Sequence, residues 1–156
     1  MPASLKWWLE NECVAVAEYQ MVKHYEVVPC GIVVNPRWPW LGASPDGVIF
    51  DKTSPIGGIE VKCPYNGKNE TINEIILRNK NFFLKADNAG KIYLKKKHPY
   101  YSQYQGIMSI LELQWIDFVV YATKDIVIER IERDANLWHG TMLPLLTQFY
   151  LDFIST

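Results

Sequence analysis

Apolar positions recur along the chain with two periods, and the switches between them mark out helices and strands. Leu9, Cys13, Val16, Tyr19 and Tyr25 fall near helical spacing, which predicts an amphipathic opening helix over residues 4–25 with Ser4 as its N-cap. Residues 27–34 are β-branched and few, and read as a strand that Asn35-Pro36-Arg37-Trp38-Pro39 breaks. Ser44-Pro45-Asp46-Gly47 is a turn-forming tetrapeptide before the apolar strand 48–50. Residues 51–58 are rich in turn formers, and 59–63 return to strand until Pro64 ends it. These two strands are expected to form an antiparallel hairpin.

Residues 69–77 suit a short helix, and 82–84 and 92–94 flank the turn Asp87-Asn88-Ala89-Gly90 as a second hairpin. A helix over 100–113 precedes strands at 115–121 and 126–131, and a last helix over 136–154 carries Pro144 as a kink. Helices before, between and after strands predict an α/β fold with a central mixed β-sheet flanked by helices. No repeat, linker or low-complexity tract interrupts the 156 residues, so 1–156 is expected to be a single domain.

Composition narrows the classes that remain. With 49% hydrophobic and 21% charged residues the chain is not a disordered one. No run approaches the roughly 18 consecutive apolar residues of a membrane span. The first twelve residues hold no basic leader followed by an apolar stretch, so no secretory signal is expected and the protein is read as intracellular. Cys13, Cys30 and Cys63 are widely and irregularly spaced, which fits neither a disulfide framework nor a zinc site; they are expected to be reduced thiols in core positions. A net charge of -1 gives no overall attraction to polyanions, so any nucleic-acid binding has to come from local patches.

The chemistry concentrates in the first hairpin. Residues two apart on a strand share a face, so Glu60 and Lys62 project together, an acid beside a base, with Val61 on the opposite side. Asp46 opens the preceding strand and can converge with Glu60. Two hard oxygen ligands suit Mg²⁺ or Mn²⁺, completed by waters and a substrate phosphate, and Lys62 is the candidate for activating a metal-bound water. Taken alone, an acid-x-Lys triplet is expected about once in a chain of this length and would be an exposed ion pair. Here the charges lie inside a hydrophobic hairpin, after Gly57-Gly58 and before Pro64, where they are costly unless used.

The run Leu41-Gly42-Ala43-Ser44-Pro45-Asp46-Gly47-Val48-Ile49, followed by Gly58-Ile59-Glu60-Val61-Lys62-Cys63-Pro64-Tyr65, resembles the YqaJ-like, lambda-exonuclease type of recombination nuclease within the PD-(D/E)xK superfamily. His98-Pro99-Tyr100-Tyr101-Ser102-Gln103-Tyr104-Gln105-Gly106 is similar to that family's glutamine-bearing helix, and residues 12–19 to its first helix. The resemblance implies a restriction-endonuclease-like core and a metal-dependent deoxyribonuclease. The reaction it implies is 5′-to-3′ exonuclease action on double-stranded ends, in recombination or in viral or mobile-element DNA processing.

Residue by residue, the resemblance makes Asp46, Glu60, the Val61 carbonyl and Glu12 the Mg²⁺ ligands, with Mn²⁺ as a substitute, and Lys62 the group that activates water. Gln103 and Gln105 take the glutamine positions, Gln103 being favoured for a catalytic part. Glu10 and Glu18 on the same helix as Glu12 remain rivals to it. Ser44 and Gly47 support the Asp46 turn or are ordinary turn residues. Tyr101 is placed with the residues that bind nucleic acid or support the site. Lys95, Lys96 and Lys97 either track a phosphate backbone or protect a hairpin edge from pairing. DNA ends are the implied partner, with a single-strand annealing protein and a homo-oligomer as further implications and no membrane partner. The location would be the nucleus for a eukaryotic or nuclear-virus source and the cytoplasm otherwise. An endonuclease or nickase, one also accepting RNA, and a catalytically idle nucleic-acid-binding module are the competing readings.

Overall fold

The computed structural model describes residues 1–155. Its centre is a four-stranded sheet in the order β3-β4-β7-β8, built from β3 (Gly47–Asp51), β4 (Ser54–Lys62), β7 (Trp115–Tyr121) and β8 (Ile126–Glu132). β3 and β8 run antiparallel to their neighbours while β4 and β7 are parallel, so the sheet is mixed, as expected from the sequence. β7 is buried along its whole length, which is why Trp115–Tyr121 reads as a continuous apolar run broken only by Asp117.

Helix α1 (Ala3–Lys23) packs on one face of the sheet and α3 (Pro99–Leu111) on the other. The strand period of two sorts the core accordingly. Ile59, Val61 and Val119 meet Ala15 and Tyr19 of α1, and Ile116, Phe118 and Val120 meet Tyr104 and Met108 of α3. Smaller elements complete the fold: β1 (Val33–Val34) paired with β2 (Gly42–Ala43), helix α2 (Ile72–Arg78), and the hairpin β5 (Leu84–Ala86) with β6 (Ile92–Leu94). α2 carries a reciprocal cap, Thr71 accepting from the Glu74 N–H while the Glu74 side chain accepts from the Thr71 N–H.

Several boundaries differ from the sequence reading for identifiable reasons. α1 begins at Ala3 with Pro2 as its cap, and Ser4 lies inside the first turn without a capping bond. The helix ends at Lys23 because His24 adopts a left-handed conformation. Its buried stripe is Ala15 and Tyr19, whereas Leu9 and Cys13 face outward. Most of residues 27–34 find no partner strand, so only Val33–Val34 and a single bridge from Val28 to Val48 form. The turn in the first hairpin is confined to Lys52 and Thr53, Lys52 at φ 56°, and the supposed turn residues 54–58 belong to β4. Gly57 is there because a β-carbon would come within 2.5 Å of the Trp115 ring, and Pro55 is tolerated because pairing with β7 starts only at Gly57.

The C-terminal segment departs from a regular helix before Pro144, where the kink was expected, and not at it. α4 (Ala135–Leu137) passes through a widened turn (Trp138–Met142) into α5 (Leu143–Ile154), and Pro144 stands in the first turn of that last segment, where its missing N–H leaves no gap. Of the three thiols only Cys63 is buried; Cys13 is exposed and Cys30 half-buried, which corrects the expectation of three core cysteines.

Candidate active site

β3 stops pairing at Gly47, opposite Ile59, while β4 continues to Lys62. Beyond Ile59 the β4 edge therefore has no neighbour on that side, and Asp46, the residue just before β3, fills the place of the missing strand. Its Oδ2 accepts the Val61 N–H at 2.7 Å. The N–H and C=O of one strand residue point to the same side, so the Val61 carbonyl is directed toward this same open edge. Gly47 lets the chain enter β3 here, since a β-carbon would come within 2.3 Å of Val27 Cγ1.

Glu60 projects onto the face that α3 covers and is 3% exposed. Burial, and next the charge of Asp46, raise its carboxyl to about 8 against the pull of Lys62. Glu12, reaching over from α1, is raised by partial burial and then by Asp46, again opposed by Lys62. The structure thus brings Glu12, Asp46, Glu60 and Lys62 into one electrostatic neighbourhood. Cys63, whose side chain lies on the α1 face, feels the Glu12 and Asp46 charges too, but burial is the main reason its thiol is pushed up to about 12. It is therefore no nucleophile at neutral pH.

Two carboxylates crowded together, one of them buried and resisting ionisation, with a backbone carbonyl at their side, form a set of hard oxygen donors that a divalent cation would relieve. Among the described residues no three His, Cys, Asp or Glu side chains close on one point as a complete cage. A cation here would therefore have to draw its remaining ligands from water or a substrate phosphate.

The Lys62 ammonium lies 4.9 Å from the centre of the Tyr100 ring, a cation–π contact at the first turn of α3. One helical turn on, Tyr104 is fully buried, feels the charges of Glu60 and Asp46, and carries a hydroxyl without a hydrogen-bond partner. The sequence reading chose neighbouring Tyr101 and passed over both tyrosines. Their spacing of four on one helix face was the signal that could have found them.

The two glutamines separate. Gln103 is exposed and lines a cleft of about 400 Å³ together with Ser44, two residues from Asp46. Gln105 is fully buried; its Nε2 donates to the Glu132 carbonyl and its Oε1 accepts the Asp134 N–H. With both ends of its amide engaged, Gln105 fixes the end of β8 to α3 and does not face the acids. Tyr101, Lys95, Lys96 and Lys97 line a second cleft, whose lining includes none of Glu12, Asp46 and Glu60. Trp38 and Trp40 pack against Trp138 and Tyr150, and His98 caps α3 by accepting the Tyr100 N–H.

A network absent from the sequence reading holds α1, and with it Glu12, in place. Asp117, 0% exposed on β7, accepts the Tyr19 hydroxyl at 2.6 Å and both Arg130 contacts at 2.9 Å. The Arg130 guanidinium in turn lies 3.6 Å from the centre of the Trp115 ring.

This arrangement, an acid at the start of an edge strand and Glu-x-Lys on its neighbour with a helix on each face, is that of a restriction-endonuclease-like nuclease core. Residues 3–114 match the YqaJ-like viral recombinase domain, and the chain belongs to that family. Its structure is similar to the crystal structure of an alkaline exonuclease, LHK-Exo, from Laribacter hongkongensis. The TM-score is 0.74 at 26% identity, over 99% of this chain and 71% of that one. It is also similar to LHK-Exo in complex with dAMP, with a TM-score of 0.69 at 26% identity over 97% of this chain and 71% of that one. No curated protein matches the sequence.

Proposed function

We propose that the protein is a Mg²⁺-dependent deoxyribonuclease that removes nucleotides 5′-to-3′ from double-stranded DNA ends, with Mn²⁺ able to replace Mg²⁺. The observation that carries this reading is the convergence of Asp46, Glu60 and Lys62 at the uncovered edge of β4, in a chain that belongs to the YqaJ-like recombinase family and is similar in structure to an alkaline exonuclease.

When bound, the cation would polarise the scissile phosphoryl group and make its water ligand more acidic. Asp46, Glu60 and the Val61 carbonyl would hold it, with Glu12 reaching from α1. Lys62, as a cation, would hold the attacking water and stabilise the charge that develops on it as its proton passes to solvent, while the Tyr100 ring keeps the side chain on the sheet face it shares with Glu60. The water oxygen bonds to phosphorus as the bond to the 3′ oxygen breaks, and the leaving 3′ oxygen takes up a proton from solvent. The products are a 5′-mononucleotide and a shortened strand. Gln103 and Ser44, on the Asp46 side, can orient the phosphate or the water.

The test is the fate of linear duplex, labelled at either 5′ or 3′ end, beside closed circular DNA, with Mg²⁺ or with EDTA. Mg²⁺-dependent loss of the linear form alone, with the 5′ label released first, is the expected result. Nicking of the circle shows an endonuclease, and release of the 3′ label first reverses the polarity.

A further inference from the structure

The hairpin β5–β6 and the first turn of α3 enclose a cleft of about 420 Å³ whose lining includes Lys85, Tyr93, Lys95, Lys96, Lys97 and Tyr101. We infer that this cleft is a binding groove for single-stranded DNA, holding the strand beside the catalytic site by its phosphates and stacking its bases on the tyrosines. The inference rests on the proposed nuclease reading for the identity of the polymer, and on the cleft itself for the rest.

Charge is the first argument. The chain carries a net charge of -1, yet four lysines surround this one cleft. Among the described residues the salt bridges are Lys6–Glu10, Arg37–Glu112, Arg78–Glu70 and Arg130–Asp117, so none of the four is paired with a carboxylate. The one acid in the lining, Glu129, has its carboxylate engaged by the Leu94 N–H at 2.6 Å. Four ammonium groups around one concave site, none with a carboxylate partner, suit a polyanion.

The aromatic rings select the form of that polyanion. Tyr93 lies under the Lys85 ammonium, 5.0 Å from its ring centre, and Tyr101 stands half-buried on the helix side of the cleft. Alternating cations and rings are what an unpaired strand requires, because its bases offer faces to stack on whereas those of a duplex are occupied by one another. Lysines set only to protect a hairpin edge would line that edge. Here they come from β5 and from the segment after β6 to enclose one space, and Lys95 is held in position by the Lys80 carbonyl at 2.7 Å.

Position is the third argument. Tyr100, whose ring faces Lys62, and Tyr101, which lines the cleft, are consecutive in the first turn of α3. Successive helix residues diverge by about 100°, so a strand held in the cleft would reach the catalytic lysine by rounding the first turn of α3.

The experiment is fluorescence anisotropy of a labelled oligothymidylate on the full chain in EDTA, so binding is read without cleavage. The triple variant K95Q/K96Q/K97Q is compared with K6Q/K23Q/K52Q, which removes equal charge elsewhere. Loss of the three contacts is expected to weaken binding about tenfold or more and to make the dependence of log affinity on log salt shallower by about 2, with the control variant near the parent. Tyr101→Leu is expected to weaken oligothymidylate about fivefold or more while leaving an abasic strand of equal length unaffected. Equal losses for both triple variants would overturn the groove, and so would equal effects of Tyr101→Leu on the thymidylate and abasic probes. Tighter binding of duplex, or of an RNA of the same sequence, would overturn the assignment to single-stranded DNA. A parent chain that cleaves nothing in Mg²⁺ but binds the oligothymidylate through the three lysines refutes the hydrolase and keeps the groove, and cleavage by a parent whose binding ignores the three lysines refutes only the groove.

Discussion

Replacing Glu60 by Gln should change how stability depends on pH, and the sign follows from the site. In the folded chain without metal the Glu60 carboxyl binds its proton more tightly than the usual 4.5, up to about 8, because burial and the Asp46 charge both oppose ionisation. Its contribution to stability is therefore fully present below about pH 4.5 and is lost as the pH rises toward 8. Each tenfold change in proton affinity is about 1.4 kcal/mol, so the loss across that interval is on the order of 4 kcal/mol and belongs to the interacting Asp46–Glu60 pair. Glu60→Gln keeps the shape and removes the charge. Urea unfolding in EDTA at several values between about pH 5 and 8 should show the parent falling more steeply than the variant, in which the raised carboxyls of Glu12 and Glu129 leave a shallower slope, and excess Mg²⁺ should restore the parent at the upper end. Parallel curves for parent and variant in EDTA would refute the picture of two carboxylates held in conflict.

Other consequences are structural. Asp117→Ala leaves the buried Tyr19 hydroxyl without its partner and the exposed Arg130 guanidinium unpaired and should lower stability by about 1–3 kcal/mol; a loss no larger than that of an exposed ion pair in thermal or urea unfolding would contradict the network. Gly57→Ala places a methyl about 2.5 Å from the Trp115 ring and should cost about 1–3 kcal/mol through overpacking, with near-ultraviolet circular dichroism reporting the displaced indole. An unchanged melting temperature and spectrum would show that the contact relaxes without effect.

Much of the site was legible because its chemistry is local in sequence. The two-residue period of a strand fixes Glu60 and Lys62 on one face, and the position of Asp46 before an apolar strand brings it to the same edge. What sequence could not show depends on partners distant along the chain. Residues 54–58 look like a turn until Trp115 explains Gly57 and the late start of β7 pairing explains Pro55. Residues 27–34 look like a strand, yet strand formation needs a neighbour that most of them lack. Asp117 lies in an apolar run whose meaning depends on Tyr19, 98 positions earlier. Gln103 and Gln105 cannot be told apart by spacing, and burial together with two backbone hydrogen bonds separates them.

Lys62 is the residue on which the account depends most. The decisive measurement is single-turnover hydrolysis of a 5′-phosphorylated linear duplex in Mg²⁺ by the parent and by Lys62→Ala, each shown to be folded by its cooperative unfolding. The expected result is Mg²⁺-dependent release of 5′-mononucleotides by the parent, abolished in EDTA, and a rate lower by about 10²–10⁴-fold in the variant. Cleavage by Lys62→Ala at the parental rate, or none by well-folded parent in either Mg²⁺ or Mn²⁺, would contradict the assignment of Asp46, Glu60 and Lys62 as the hydrolytic centre of this chain.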